Sequence, residues 1–173
     1  MRPSLLPTAL AASLAPMCLA QFPITAISNG STGFIYPDND YLCIGNARGE
    51  VALVNAPLRC ASFTADENGC LTALIEPWEP EFGSHAVVVD PDAPHRLRYA
   101  DGCASGAGWA AFGDESSLDG VVYAGLVWFT EQGGERRVAY GPSWSVVNEN
   151  GAQFLQGDPV DGEAGVTLEL RGS

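Results

Sequence analysis

Two histidines, His85 and His95, bracket a strand-like run (HAVVVDPDAPH) and, with Asp90 and Asp92, form the densest set of potential ligands in the sequence. Imidazole and carboxylate together suit a divalent metal, and a His pair can move protons in ribonuclease-type hydrolysis. The prolines between them predict a turn, so the four need not converge. Asp-Pro-Asp-Ala-Pro also reads as an ordinary rigid loop in which Asp bonds its own backbone. No metal and no other cofactor is expected. Glu76-Pro-Trp-Glu-Pro-Glu-Phe82 sets three carboxylates beside two aromatic rings, with Trp78, Glu79, Glu81 and Phe82 as its candidate ligand contacts. Carboxylate pairs with an aromatic platform serve glycoside hydrolysis, and the same groups bind sugars without cleaving them. Two prolines make this an extended exposed loop, which favours solvated linker or sugar contact over catalysis. Asp38 and Asp40 offer hard oxygens to calcium, but no sharp-turn Gly or distal Glu completes a binding loop.

Nucleophile chemistry finds no support. There is no G-x-S-x-G, neither His sits in a triad motif, and the absence of Lys removes a phosphate-cradling loop of the P-loop kind. No catalytic residue is assigned. The 173 residues carry 21 acids against 8 Arg, a formal charge of −13. Phosphate-tracking proteins gather Lys and Arg on one face, so nucleic acid and anionic membrane are excluded as partners.

Residues 1–20 (MRPSLLPTALAASLAPMCLA) read as a secretory signal peptide: Arg2, an apolar stretch from Leu5 to Leu14, and small residues Cys18 and Ala20 before a cut ahead of Gln21. The apolar run is broken by Pro7 and Pro16 and is too short to cross ~30 Å of hydrocarbon. Residues 21–173 would then form the secreted domain, a monomer, extracellular or held at a cell wall. Cleavage removes Cys18 and leaves Cys43, Cys60, Cys70 and Cys103, an even set that reads as two disulfides in an oxidising compartment. Three connectivities are open; Cys43–Cys60 with Cys70–Cys103 is favoured because both close moderate loops. Asn29-Gly30-Ser31 is the single N-x-S/T sequon and a candidate glycosylation site at Asn29.

The elements that must position these residues are strands. Short β-branched or aromatic runs fall at 33–36, 41–44, 51–54, 71–75, 86–89, 96–99, 120–123, 126–130, 137–140, 146–147 and 166–170, parted by Gly, Pro, Asn and Asp clusters. No stretch of more than a few residues has helical periodicity. The pattern predicts a single all-β domain of many short antiparallel strands. Three segments, starting at Phe63, Trp109 and Trp144, place an aromatic ahead of a turn and an apolar residue. Read as hairpins headed by inward rings, they suit a three-fold β-trefoil, with a β-sandwich as the alternative. Trp109, Trp128 and Trp144 lie in or beside predicted strands and are expected in the core.

The start of the mature chain, Phe22-Pro-Ile-Thr-Ala-Ile-Ser-Asn-Gly-Ser31, is similar to the opening F-x-I-x-A-I-x-S-G-S of small secreted proteins of filamentous fungi, the IgE-binding or phialide-type cell-wall proteins. Cys60-Ala-Ser-Phe63 through Leu71, the run Val88 to Tyr99, Gly108-Trp109 and Val122-Tyr-Ala-Gly125 also resemble that family's motifs. The likeness spans about residues 22–147 and departs from the family where Phe129-Thr-Glu replaces an expected Cys. The resemblance implies a protein of the fungal wall or surface, with no catalytic residue to carry over. The expected function is therefore binding or structure, with cell-wall polysaccharide or a foreign protein as candidate partners. The competing expectations are a small extracellular hydrolase, glycosidase or ribonuclease-like, and a secreted effector that engages a host protein.

Overall fold

The computed structural model describes residues 24–38, 42–47, 50–55, 59–74, 85–112, 121–162 and 164–172. Their strands are β1 (Thr25–Ala26), β2 (Thr32–Pro37), β3 (Cys43–Ala47), β4 (Glu50–Val54), β5 (Ser62–Ala65), β6 (Leu71–Leu74), β7 (His85–Val89), β8 (Leu97–Ala100), β9 (Ala107–Ala111), β10 (Val121–Ala124), β11 (Leu126–Gln132), β12 (Glu135–Tyr140), β13 (Ser143–Glu149), β14 (Ala152–Gln156) and β15 (Val166–Gly172). The fold is all-β, and every pairing of strands is antiparallel. Each of the eleven runs singled out from residue type coincides with a strand. The leader at 1–20 lies outside the described residues.

One long sheet runs in the order β3-β4-β14-β13-β15-β2-β5-β6-β7-β8, with β10 also on β15. It curls back on itself. Arg96, just ahead of β8, bridges Gln156 at the end of β14, and the Gly157 amide donates to the His95 carbonyl at 3.0 Å. A second sheet, β1-β9-β11-β12, lies against this curl. Alternation shows most clearly in β2, where Phe34, Tyr36 and their neighbours switch between half-buried and buried positions as the period of a strand requires.

The core takes three of the four tryptophans. Trp109, Trp128 and Trp144 are buried, and the Trp109 ring lies 5.4 Å from Trp128, edge-on, and 5.5 Å from Trp144. A buried indole needs an acceptor. Trp109 Nε1 donates to the Val87 carbonyl at 2.8 Å and Trp144 Nε1 to the Leu126 carbonyl at 3.0 Å. The two sheets are thus tied to each other through the cluster.

Two of the three aromatic-headed segments are hairpins. Phe63 opens β5–β6 and Trp144 opens β13–β14, and both rings are fully buried. The third differs: β9, which holds Trp109, pairs with β1 on one side and β11 on the other, so the next strand, β10, goes to β15 instead. The β5–β6 turn docks on β9. Gly69 sits at φ 80°, a Cβ there would lie 2.5 Å from the Trp109 carbonyl oxygen, and the Trp109 amide donates to the Gly69 carbonyl at 2.8 Å. Only glycine fits that approach.

The disulfides are Cys43–Cys60 and Cys70–Cys103, with Cα–Cα distances of 5.5 and 5.7 Å, the pairing favoured on loop length. The first pins the β3–β4 hairpin to the strand entry at Gly45–Cys60. The second ties the β5–β6 turn to the segment ahead of β9.

Candidate functional site

The β7–β8 hairpin decides what the histidines can do. Its register pairs Ala86 with Ala100 and Val89 with Leu97. His85 therefore stands at one end beside Asp101, and His95 lies in the turn at the other. The length of β7, about 14 Å at ~3.4 Å per residue, lies between them. No single cleft receives both imidazoles, and a paired-histidine mechanism has no geometry to work with. The candidate metal set fares the same way. Asp90 Oδ1 accepts the Asp92 amide at 3.0 Å, Asp90 Oδ2 lies 3.3 Å from Arg98 Nε, and Asp92 is exposed. Among the described residues no three His, Cys, Asp or Glu side chains gather as metal ligands.

At the His95 end, a polar and aromatic network forms where the long sheet closes. His95 Nδ1 lies 3.1 Å from the Asp90 carbonyl, which can only accept, so Nδ1 is the donor, and Nε2 faces Asp158 Oδ1 at 3.8 Å. The Tyr140 ring covers the imidazole at 4.6 Å between centroids. Desolvation, and secondarily the Asp158 carboxylate, raises the Tyr140 phenol above its ordinary range. Arg96 grips Glu149 with both guanidinium nitrogens, one of them at 3.0 Å, and lies 5.3 Å over the Phe154 ring. Its hydrogen bond holds the Glu149 carboxyl below, and the guanidinium above, their usual ranges. Apart from Arg96 Nε, which is buried with no hydrogen-bond partner among the described residues, these groups pair with one another, so the network reads as a clasp on the sheet seam. Neither Tyr140, Asp158, Arg96 nor Glu149 stood out in the sequence, because their partners are 45 or more residues away, apart from the Tyr140–Asp158 neighbours.

The opposite end is less complete. His85 Nδ1 lies 3.9 Å from the exposed Asp101 carboxylate, and its ring centroid is 6.4 Å from that of Tyr99. Tyr99 faces Val87 across the hairpin. Its hydroxyl is buried and has no hydrogen-bond partner among the described residues, and burial holds the phenol well above the ordinary tyrosine range. A buried hydroxyl without a partner costs about 1–3 kcal/mol. At this same end the chain leaves β6 after Leu74 and returns at His85, which β6 holds in register through Ala73. The connection between these two anchored points is 75–84, and Trp78, Glu79, Glu81 and Phe82 all fall in it, outside the described residues. The structure thus brings the tethered ends of the acidic, aromatic connection, His85, Tyr99 and Asp101 to one end of one hairpin. Tyr99 was missed in the sequence because a tyrosine in a strand normally reads as core.

The remaining candidates are local. Asn29 is exposed in a turn closed by the Ser31 amide on the Ser28 carbonyl at 3.0 Å. Asp38 accepts the Thr167 amide on Oδ1 at 3.2 Å while its own amide donates to the Thr167 carbonyl at 2.8 Å. It caps the β2–β15 pairing, and Asp40 lies outside the described residues. No helix among the described residues is long and apolar enough to cross a membrane, and two disulfides are consistent with an extracellular protein.

Set against known protein families, curated proteins and solved structures, the chain matches none of them.

Proposed function

We propose that residues 21–173 are a secreted, acidic, wall- or surface-associated protein of fungal type that acts by binding polysaccharide rather than by cleaving it. The observation that carries this reading is the acidic, aromatic 75–84 connection, whose flanking residues Leu74 and His85 are anchored in β6 and β7 at one end of the β7–β8 hairpin. A sugar suits the carboxylates and rings of Glu76-Pro-Trp-Glu-Pro-Glu-Phe82. Trp109, Trp128 and Trp144 are buried in the core, so Trp78 is the indole this reading assigns to a sugar face. The resemblance to the phialide-type cell-wall proteins agrees with this assignment, and the signal peptide would deliver the chain outside the cell. A hydrolase built on His85 and His95 is disfavoured by their separation along β7.

The test incubates the mature protein with insoluble chitin, β-glucan and mannan. Protein is assayed in the pellet and released sugar in the supernatant. Binding to one polysaccharide without sugar release, lost in Trp78→Ala, supports the reading. Sugar release replaces it with a hydrolase, and failure to pellet with any of the three replaces it with engagement of a foreign protein.

A further inference from the structure

The sequence contains three Asn-Gly pairs, Asn29-Gly30, Asn68-Gly69 and Asn150-Gly151, and the structure places each in a tight turn. Asparagine followed by glycine is chemically labile. The backbone nitrogen of the glycine can attack the asparagine side-chain carbonyl carbon, and no Cβ on the glycine crowds the approach. The three turns differ in what that nitrogen is doing. The Gly30 amide donates to the Ala65 carbonyl at 2.9 Å, and the Gly69 amide to the Asp66 carbonyl at 3.1 Å. Gly69 is further held by the Asp66 carboxylate, whose Oδ1 accepts the Asn68 and Cys70 amides at 2.8 Å each.

Asn150-Gly151 is the two-residue loop of the β13–β14 hairpin. Glu149 pairs with Ala152, and the loop residues take φ 51° and 80°, the all-positive pattern that suits the twist of such hairpins. In this loop the closing hydrogen bonds belong to the flanking pair. The Gly151 amide has no protein acceptor among the described residues, both loop residues are exposed, and the space around Gly151 is open.

We propose that Asn150 is a site of spontaneous deamidation in the folded protein, and the fastest of the three Asn-Gly sites. The step needs only water. The Gly151 nitrogen forms a bond to Asn150 Cγ, and the bond from Cγ to the side-chain nitrogen breaks. That nitrogen leaves as ammonia, taking up the proton lost by the Gly151 amide. Water then opens the resulting five-membered imide at either carbonyl. One opening yields aspartate at position 150; the other yields isoaspartate, with the main chain rerouted through the side chain. Both products set a new carboxylate beside Glu149, the residue that Arg96 holds at the sheet seam. Isoaspartate also adds a backbone carbon where the Glu149–Ala152 pair must close.

The full mature chain, reduced only after incubation and made in a host that does not glycosylate, is aged at mildly alkaline pH. Cleavage after arginine then puts Asn29, Asn68 and Asn150 on separate peptides, each read by mass and by chromatographic resolution of isoaspartate. Asn150 is expected to convert about fivefold faster than Asn29 or Asn68, the rate equivalent of one ~1 kcal/mol hydrogen bond on the competing nitrogens. In denaturant the three rates should converge, and Asn150→Gln should abolish only the 138–171 product. Conversion at Asn29 or Asn68 that equals or outruns Asn150 in the folded protein overturns the assignment, as does an Asn150 that reacts only after unfolding.

Discussion

Replacing Tyr99 with Phe removes one oxygen and leaves the ring in place. In the folded protein that oxygen is buried and has no hydrogen-bond partner among the described residues, whereas water satisfies it in the unfolded chain. The hydroxyl therefore opposes folding by the desolvation of a polar group, about 1–3 kcal/mol, while Phe carries no such penalty. Partial relaxation around the site argues for the lower figure, so Tyr99→Phe should stabilise the protein by about 1 kcal/mol. For a chain of 173 residues that is a rise of about 2–4 °C in Tm, and a higher urea midpoint at unchanged m.

The pH dependence sharpens the test. Burial raises the Tyr99 phenol above the ordinary tyrosine range in the folded state, so the folded protein keeps a proton that the unfolded chain releases near pH 10. The stability linked to that proton is complete below about pH 10 and declines as pH climbs past it. Phe has no proton to lose, and its advantage over wild type should widen above pH 10. Equilibrium urea unfolding across neutral and alkaline pH reads both effects. If Tyr99→Phe instead lowers stability by 1 kcal/mol or more at neutral pH, the hydroxyl is bonded in the native state and the desolvation argument fails.

The disulfides should contribute through the loops they close in the unfolded chain. Cys43–Cys60 spans 17 residues and Cys70–Cys103 spans 33, for losses of about 3 and about 4 kcal/mol on paired replacement by Ser; a double variant of either pair that unfolds at the wild-type urea midpoint would contradict this. The Arg96–Glu149 pair should add stability only where Glu149 is ionised. Its folded carboxyl lies below the ordinary range, first because of the hydrogen bond from Arg96. The contribution is therefore present above an unfolded value near 4.3 and lost as pH falls through the lower folded one. Glu149→Gln should thus differ from wild type at neutral pH and converge with it in acid, and a difference that persists or grows in acid would refute the linkage.

Strand content was legible because burial on a pleated surface selects β-branched and aromatic residues, and each of the eleven such runs became a strand. The strands that went unread fail that criterion for physical reasons. β1 has two residues, β5 reads Ser-Phe-Thr-Ala, β9 reads Ala-Gly-Trp-Ala-Ala and β14 reads Ala-Gln-Phe-Leu-Gln, none with a β-branched run. In β9 small residues are required: a Cβ at Gly108 would lie 2.7 Å from the Asn68 carbonyl oxygen of the docked turn. The same approach explains why the Trp109 segment is not a hairpin, since β9 is already flanked by β1 and β11. A local aromatic-turn-apolar pattern says that a ring is buried, as Phe63, Trp109 and Trp144 all are. It does not say which strand becomes the neighbour.

The candidate site divides along the same line. Spacing in the sequence put His85, Asp90, Asp92 and His95 together, and a hairpin undid the grouping by sending eleven consecutive residues along a strand and around its turn. What the fold assembles comes from distant segments: Arg96 with Glu149, His95 with Tyr140 and Asp158. Yet the charged groups of the His95 network face an opposite charge or a ring. Density of titratable residues does not make a ligand site when those residues already face one another. The His85 end is where a segment rich in acids and aromatics is anchored at both feet. On that ground the 75–84 connection outranks the histidine cluster that first draws the eye.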